Sequence, residues 1–375
     1  MSSRTQEFSG ERLRLARVFN GLSQAELGAR VEVTHASISQ AENGVRQPSS
    51  SVVEKLAEVL GFVQSFFFQA APAEYREEEC YFRRRKTTPL GVRNRILATG
   101  TLFGELAATL EASVRLPPYN VPVIRISSTE EIEVAADRVR VAWGLNTDAP
   151  IQSMTRALER AGVVIARFAA SAGKIDAFSR AGTRGTIVLN TDKGSTSRAR
   201  HDKAHECGHL VMHAGLDHDS DEQEAQADRF ASALLMPRAA FVREFPRPGA
   251  NRIQIDSLIP MKVRWKSSLA AIVRRAFDLR LISAAQYQAA FKQYYARHLH
   301  RGEPMEPPDE PPELVRLAFE VLEKQGVARA DVIRQLGWTD GVLTRVAVDF
   351  GPGRSSAPTN VIPFAQVKTR RVVRP

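Results

Sequence analysis

A chain of 375 residues is long enough for two or three domains, and 43% hydrophobic residues let it bury substantial cores. Its formal net charge of +10 points to a polyanionic partner, and its two cysteines, Cys80 and Cys207, exclude a disulfide framework and fit a reducing cytosol. The polar first ten residues and the lack of any apolar run near about 18 residues argue against a secretory signal and a membrane span.

Between Glu11 and Gly61 the sequence reads as short helical patterns separated by turns. Leu13, Val18 and Leu22 form the first apolar face. Ser23 caps the next helix with Glu26 three residues on, a capping box. After a turn around Val31 to Val33, Thr34 caps a helix beginning at His35 and stopped by Asn43-Gly44. Two short helices joined by a tight turn, the second polar on its outer face, are the helix-turn-helix signature. Residues 8 to 65 resemble the Cro/repressor-like (XRE) helix-turn-helix family. The resemblance implies that His35, Ala36, Ser37 and Gln40 face base edges of double-stranded DNA, with Gln24, Asn43 and Arg46 near phosphates. Gln40 can pair in bidentate fashion with adenine. Leu27 and Ile38 should be core, and Arg12, Arg14, Arg17, Arg30 and Arg46 should make the face positive. A helix-turn-helix used only for protein contacts is the alternative. Phe66 to Phe68 should pack under this unit, taken as residues 1–70.

Residues 71–118 read as a charged linker and a helix. Ala71-Pro72-Ala73 and Glu77 to Glu79 are followed abruptly by Arg83-Arg84-Arg85-Lys86, either a solvated charged face or a contact to flanking DNA. An amphipathic helix over 93–114 ends at Leu116-Pro117-Pro118-Tyr119. Helices over 132–143 and 153–161, then strands over 163–166, from 177 and over 185–190, make an α+β domain of residues 119–245 with the helices that follow. The strand ending at Asn190 reads as able to accept an extended peptide by β-addition.

A helix over 198–211 sets His205 and His209 one turn apart, on one face and about 6 Å from each other. Both imidazoles can then reach one ion at about 2.0–2.1 Å. Glu206 projects near the ion's open position, where it can take a proton from a water whose pKa zinc lowers towards about 7. A second helix, 224–236, is ended by Pro237. Its Glu224 and Asp228 are an i,i+4 pair beside the apolar stripe Ala227, Phe230, Ala231 and Leu234. A carboxylate in that setting is costly unless paired or bound to metal. Glu224 is therefore assigned as third ligand and Asp228 as the acceptor that orients a ligand histidine. His201 and His213 continue the four-residue step, but only adjacent members can share an ion, so they flank the site. Cys207 points away from both histidines and is not a fourth ligand.

Residues 198–213, followed by 224–237 with its Leu234-Leu235-Met236-Pro237 ending, resemble the ImmA/IrrE family of zinc metallo-endopeptidases. The resemblance implies a gluzincin-like α+β core with His205, His209 and Glu224 on zinc and Glu206 as general base. It also implies a protein substrate, a repressor-like regulator cleaved in a stress or mobile-element response. The chain departs from the pattern at His201, where the family usually has a large aromatic, and at Cys207, often Leu.

Residues 246–303 read as a helical extension, with helices over 255–263, 268–280 and 284–298. Residues 304–312 form a Pro- and acid-rich linker, 313–350 a small helical unit, and 351–375 a Gly/Pro/Arg-rich tail expected to be disordered. The fold expected is multidomain: an all-α helix-turn-helix N-terminal domain, an α+β gluzincin-like metallopeptidase core and a helical C-terminal extension. The function expected is a DNA-binding regulator with a zinc-dependent endopeptidase domain in the bacterial cytoplasm, associated with the nucleoid; a homodimer on two half-sites is one assembly it allows, and the sequence does not set the oligomeric state. The alternative is a transcription factor or antitoxin whose peptidase-like domain senses metal or mediates dimerisation without proteolysis. Three ligands plus a base favour activity, because a structural zinc site is normally closed by four protein ligands.

Overall fold

A computed structural model describes residues 7–82, 89–168, 177–190, 195–216, 220–246 and 253–350. The basic cluster Arg83 to Lys86 and the tail from residue 351 lie outside the described residues. Four helices open the chain: α1 Gly10–Phe19, α2 Gln24–Arg30, α3 His35–Glu42 and α4 Ser50–Leu60. Ser9, Ser23, Thr34 and Ser49 cap them, each accepting a backbone N–H with its hydroxyl, and Ser23 and Glu26 form the expected capping box. Leu27 and Ile38 are buried between the helices. Gly28 is required there, since a Cβ on it would lie 2.8 Å from the Val33 carbonyl oxygen in the turn between α2 and α3.

A four-stranded mixed sheet separates the molecule into two cores. Its strands are β1 Cys80–Phe82, β2 Val164–Phe168, β3 Ala177–Arg180 and β4 Thr186–Asn190, in the order β1-β3-β4-β2. The β2–β4 pair is parallel, and β3 runs antiparallel to both β4 and β1. Every residue of β2 and β4 is buried, which is why these strands read as continuous apolar runs rather than alternating ones. The pleat still sorts their side chains. Val164, Ala166, Phe168, Phe178 and Val188 join one core with α1 to α4, the long helix α5 Leu90–Ser113, and the C-terminal helices. Ile165, Ala177, Ile187 and Leu189 face the other core. That second core is built by α6 Thr129–Ala142, α7 Met154–Arg160, α8 Thr196–Gly208, α9 Asp221–Leu235, α10 Arg238–Glu244, α11 Ile259–Trp265, α12 Leu269–Asp278 and α13 Ala284–Ala296.

Three sequence expectations change here. The strand ending at Asn190 is β4, flanked on both sides by β3 and β2, so its backbone groups are taken and it cannot accept a peptide. The C-terminal helices α14 Leu314–Lys324, α15 Arg329–Gln335 and α16 Asp340–Val346 share a core with the helix-turn-helix unit rather than standing apart. Trp338 is buried against Phe62, Val63 N–H donates to the Gly337 carbonyl at 3.0 Å, and the Arg345 guanidinium lies 4.1 Å from the Phe19 ring centre. The acidic segment around 304–312 is a strap, not a spacer. Glu303 accepts from Leu269 N at the start of α12, Glu306 from Ser197 N at the start of α8, and Glu310 from Met154 N at the start of α7. Carboxylates are favoured at those positive helix ends. No described helix is long and apolar enough to cross a membrane.

Because Trp338 closes the core that also holds Phe62, Phe66 and Phe67, Trp338→Ala is expected to destabilise the N-terminal unit by about 3–5 kcal/mol. Urea denaturation followed through the helix-turn-helix amides measures this; a loss under about 1 kcal/mol would mean that residues 1–70 stand without the C-terminal helices.

Candidate metal centre

His205 lies near the end of α8, and His209 opens a π-helical turn, His209–His213, that continues the same helix. Glu224 comes from the first turn of α9. The structure brings the three together. The Nε2 atoms of His205 and His209 are 3.1 Å apart, and the Glu224 carboxylate oxygens lie 3.4 Å from His205 Nε2 and 3.2 Å from His209 Nε2. An ion held tetrahedrally at about 2.0–2.1 Å sets its ligand atoms about 3.3–3.4 Å apart, so this spacing suits one. Among the described residues this is the group that could hold a metal.

The imidazoles are fixed from behind. Asp228 Oδ1 lies 2.8 Å from His205 Nδ1, which turns Nε2 towards the cluster. His201 reaches the same oxygen at 3.4 Å and stands outside the cluster. His209 Nδ1 meets His213 Nδ1 at 3.0 Å, and His213 Nε2 meets Gln226 Oε1 at 2.9 Å. If His209 keeps Nε2 free for a ligand role, it donates from Nδ1 to His213, which then carries its own proton on Nε2 for Gln226. The spacing of His213 signalled this role; nothing in the sequence singled out Gln226.

Electrostatics separates the four groups. Burial opposes charge on His205, but Asp228 and Glu224 overcome it and raise the imidazole pKa to about 10. Burial dominates at His209 and lowers its pKa to about 4. Glu224 stays ionised despite burial, held near 2 by its hydrogen bonds with both histidines. Glu206 is fully enclosed, and burial pushes its carboxyl up to about 8 against the pull of His205 and Ser179. Its Oε2 accepts from Ser179 Oγ at 2.5 Å, while Oε1 is buried with no hydrogen-bond partner among the described residues. A buried orphan oxygen is costly unless something arrives to use it.

Sequence reasoning missed two neighbours. Ser179 shares a strand face with Ala177 by simple alternation, a signal that was available. Tyr81 had none: its ring stacks on His209, with centroids 4.8 Å apart and planes 17° apart, from a strand of three residues. A cleft of about 880 Å³ opens beside Glu224 and Asp228, between α8 and α9 on one side and Tyr287, Phe291 and Tyr294 of α13 on the other.

On the helix-turn-helix unit, His35, Ala36, Ser37, Gln40, Asn43 and Arg46 are all exposed. Gln24 is half-buried and tied back to Glu42, donating from Nε2 at 2.5 Å. The positive face is smaller than expected. Arg12 turns inward to Glu105 and Arg17 to Glu42, because each carboxylate needs a partner once α5 and α3 bury it, while Arg14, Arg30 and Arg46 remain exposed. Cys207 is buried, in the core behind α8.

Comparison with known proteins agrees with this division. Residues 10–65 match the helix-turn-helix domain family and residues 158–277 the IrrE N-terminal-like domain of the M78 peptidases. Two curated relatives, uncharacterized HTH-type transcriptional regulators of Sinorhizobium medicae and Rhizobium meliloti, are each 34% identical over 65 residues. The match takes in 17% of this chain and 47% of each relative, so the chain spans about half the length of those proteins. The chain thus carries one domain similar to the helix-turn-helix family and one similar to the IrrE N-terminal-like family.

Proposed function

We propose that this protein is a DNA-binding regulator that hydrolyses a peptide bond in a partner protein, using a zinc ion held by His205, His209 and Glu224. The observation that carries the reading is the convergence of those three donor atoms within 3.1–3.4 Å, with Glu206 next to His205 in the chain and its Oε1 buried without a hydrogen-bond partner among the described residues. When bound, zinc polarises the scissile carbonyl and lowers the pKa of a water towards about 7. Once a bound cation favours the ionised form that burial opposes, Glu206 would take a proton on Oε1 and pass it to the leaving amine, while Ser179 holds Oε2 and fixes the carboxylate's orientation. Asp228 and His213 hold the two imidazoles in the tautomers that leave Nε2 free. A gluzincin-like core, with the third ligand on the helix after the histidine pair, fits this arrangement. The substrate class is a repressor-like regulator, as the family resemblance implies.

A second reading rests on the complete burial of His205 and Glu206: a regulator whose peptidase-like domain senses metal without cleaving anything. For DNA, the exposed outer face of α3 supports base contacts from His35, Ala36, Ser37 and Gln40, with Asn43 and Arg46 beside the phosphates. A homodimer on two half-sites is the matching assembly, and the cytoplasm with its nucleoid the matching location.

Elemental analysis should find about one zinc per chain, lost in His205→Ala and His209→Ala and kept in Glu206→Gln. Mass spectrometry of a co-expressed repressor-like partner should show cleavage by the unmodified chain and none by Glu206→Gln. Unchanged regulation by Glu206→Gln, with no product from either form, would select the sensor reading. In gel shifts at two salt concentrations, Gln40→Ala should cost about 1–3 kcal/mol on the preferred site, and Arg46→Ala should weaken all sequences alike. Binding that ignores salt would remove the DNA role.

A further inference from the structure

Neither the DNA-binding face nor the metal group accounts for β1. This strand follows the segment that leaves the helix-turn-helix unit, and it pairs antiparallel with β3 over three residue pairs at the edge of the sheet. Without it, β3 would itself be the edge strand. That strand is the part of the sheet that touches the candidate base, through Ser179 Oγ on Glu206. Tyr81 lies directly opposite Ser179 in the pairing. Its side chain therefore falls on the α8 face. There the ring lies flat on His209, its hydroxyl donates to the His213 carbonyl at 2.5 Å, and only 3% of the residue is exposed.

We infer that the β3 edge is the docking strand for an extended peptide, and that β1 is the chain's own segment occupying it. Substrates are then extended segments carrying an aromatic side chain where Tyr81 sits. This names the substrate class for the peptidase reading and rests on it.

The chemistry of β-addition supports the assignment. Backbone hydrogen bonds to an edge strand supply sequence-independent affinity, and alternate side chains entering pockets supply specificity. Here β1 offers both: a backbone ladder on β3 and one aromatic ring seated on the metal-site face. Its backbone hold on the edge is short, although Cys80 and Tyr81 are themselves buried. The pairing is three residues long, and the ion pair that steadies it, Glu79 to Arg180 at 2.9 Å, is 42% exposed on the Glu79 side. A tethered segment has a high effective concentration, so it excludes a free peptide of equal intrinsic affinity. The edge is consequently closed to substrates while β1 is in place. The buried state of Glu206 and His209 is that closed state. The tether, residues 71–79, runs back to the DNA-binding unit, so movement there is positioned to release the edge.

The test uses the full chain carrying Glu206→Gln, so that no probe is consumed. The probe is a fluorescein-labelled synthetic peptide of residues 76–82 under reducing conditions, with a second peptide in which the tyrosine is replaced by alanine. By fluorescence anisotropy, adding Tyr81→Ala to the protein should tighten binding of the first peptide by about tenfold or more, and the second peptide should gain little. Glu79→Arg, which sets two cations together and leaves the Tyr81 ring intact, should shift binding the same way by a smaller factor. Should Tyr81→Ala fail to fold, Glu79→Arg decides alone. Equal binding of both peptides, or no gain in either folded, metal-replete variant, would overturn the inference. Tight peptide binding by a protein whose Glu206 form cleaves nothing would keep the docking edge and remove the peptidase reading. Cleavage that the peptide does not compete would remove the docking edge alone.

Discussion

Alternation along β2, β3 and β4 is the constraint on which the rest of the molecule depends. Both faces of the sheet are buried, so a single strand feeds two cores, and successive residues such as Ile187 and Val188 belong to different ones. A slip of one residue in register would send each set to the wrong core. The sheet is therefore the wall through which the helix-turn-helix half and the half carrying His205, His209 and Glu224 are joined. Phe178 packs beneath α5 on one side, while its neighbour Ser179 holds Glu206 on the other.

Charge is handled by the same economy of position. Acidic side chains that composition alone would leave in water are spent on helix starts, with Glu306 on α8 and Glu310 on α7, and Glu310 also meets the buried Arg200. The metal group concentrates the opposite problem. Two imidazoles and a carboxylate are packed together, and a second carboxylate, Asp228, stands behind the first imidazole. One imidazole is pulled towards its charged form by the two carboxylates, and the other is held towards neutrality by burial.

Much of the site was legible because its parts are local. His205 and His209 meet through helical periodicity, and Glu224 was exposed as a carboxylate bordering the stripe of Ala227 and Phe230. The helix-turn-helix unit was legible through its caps. What escaped depends on partners remote in the chain. Arg12 reads as a surface cation until Glu105 is brought to it, 93 residues away. The acidic segment reads as a linker because the helix ends it caps lie far upstream, from a separation of 34 for Glu303 and Leu269 to 156 for Glu310 and Met154. Cys80–Phe82 is too short for periodicity to register, so the strand and the ring it places on His209 were invisible.

The proposed chemistry depends on which atoms would surround a zinc ion held by His205, His209 and Glu224. X-ray absorption at the zinc edge of the purified full chain measures them directly. The expected spectrum has nitrogen and oxygen neighbours at about 2.0–2.1 Å, with the multiple-scattering pattern of two imidazoles, and the bound-zinc signal is lost in His209→Ala. A sulfur neighbour at about 2.3 Å, which would bring Cys207 or Cys80 into the sphere, or a spectrum unchanged in His209→Ala, would contradict it.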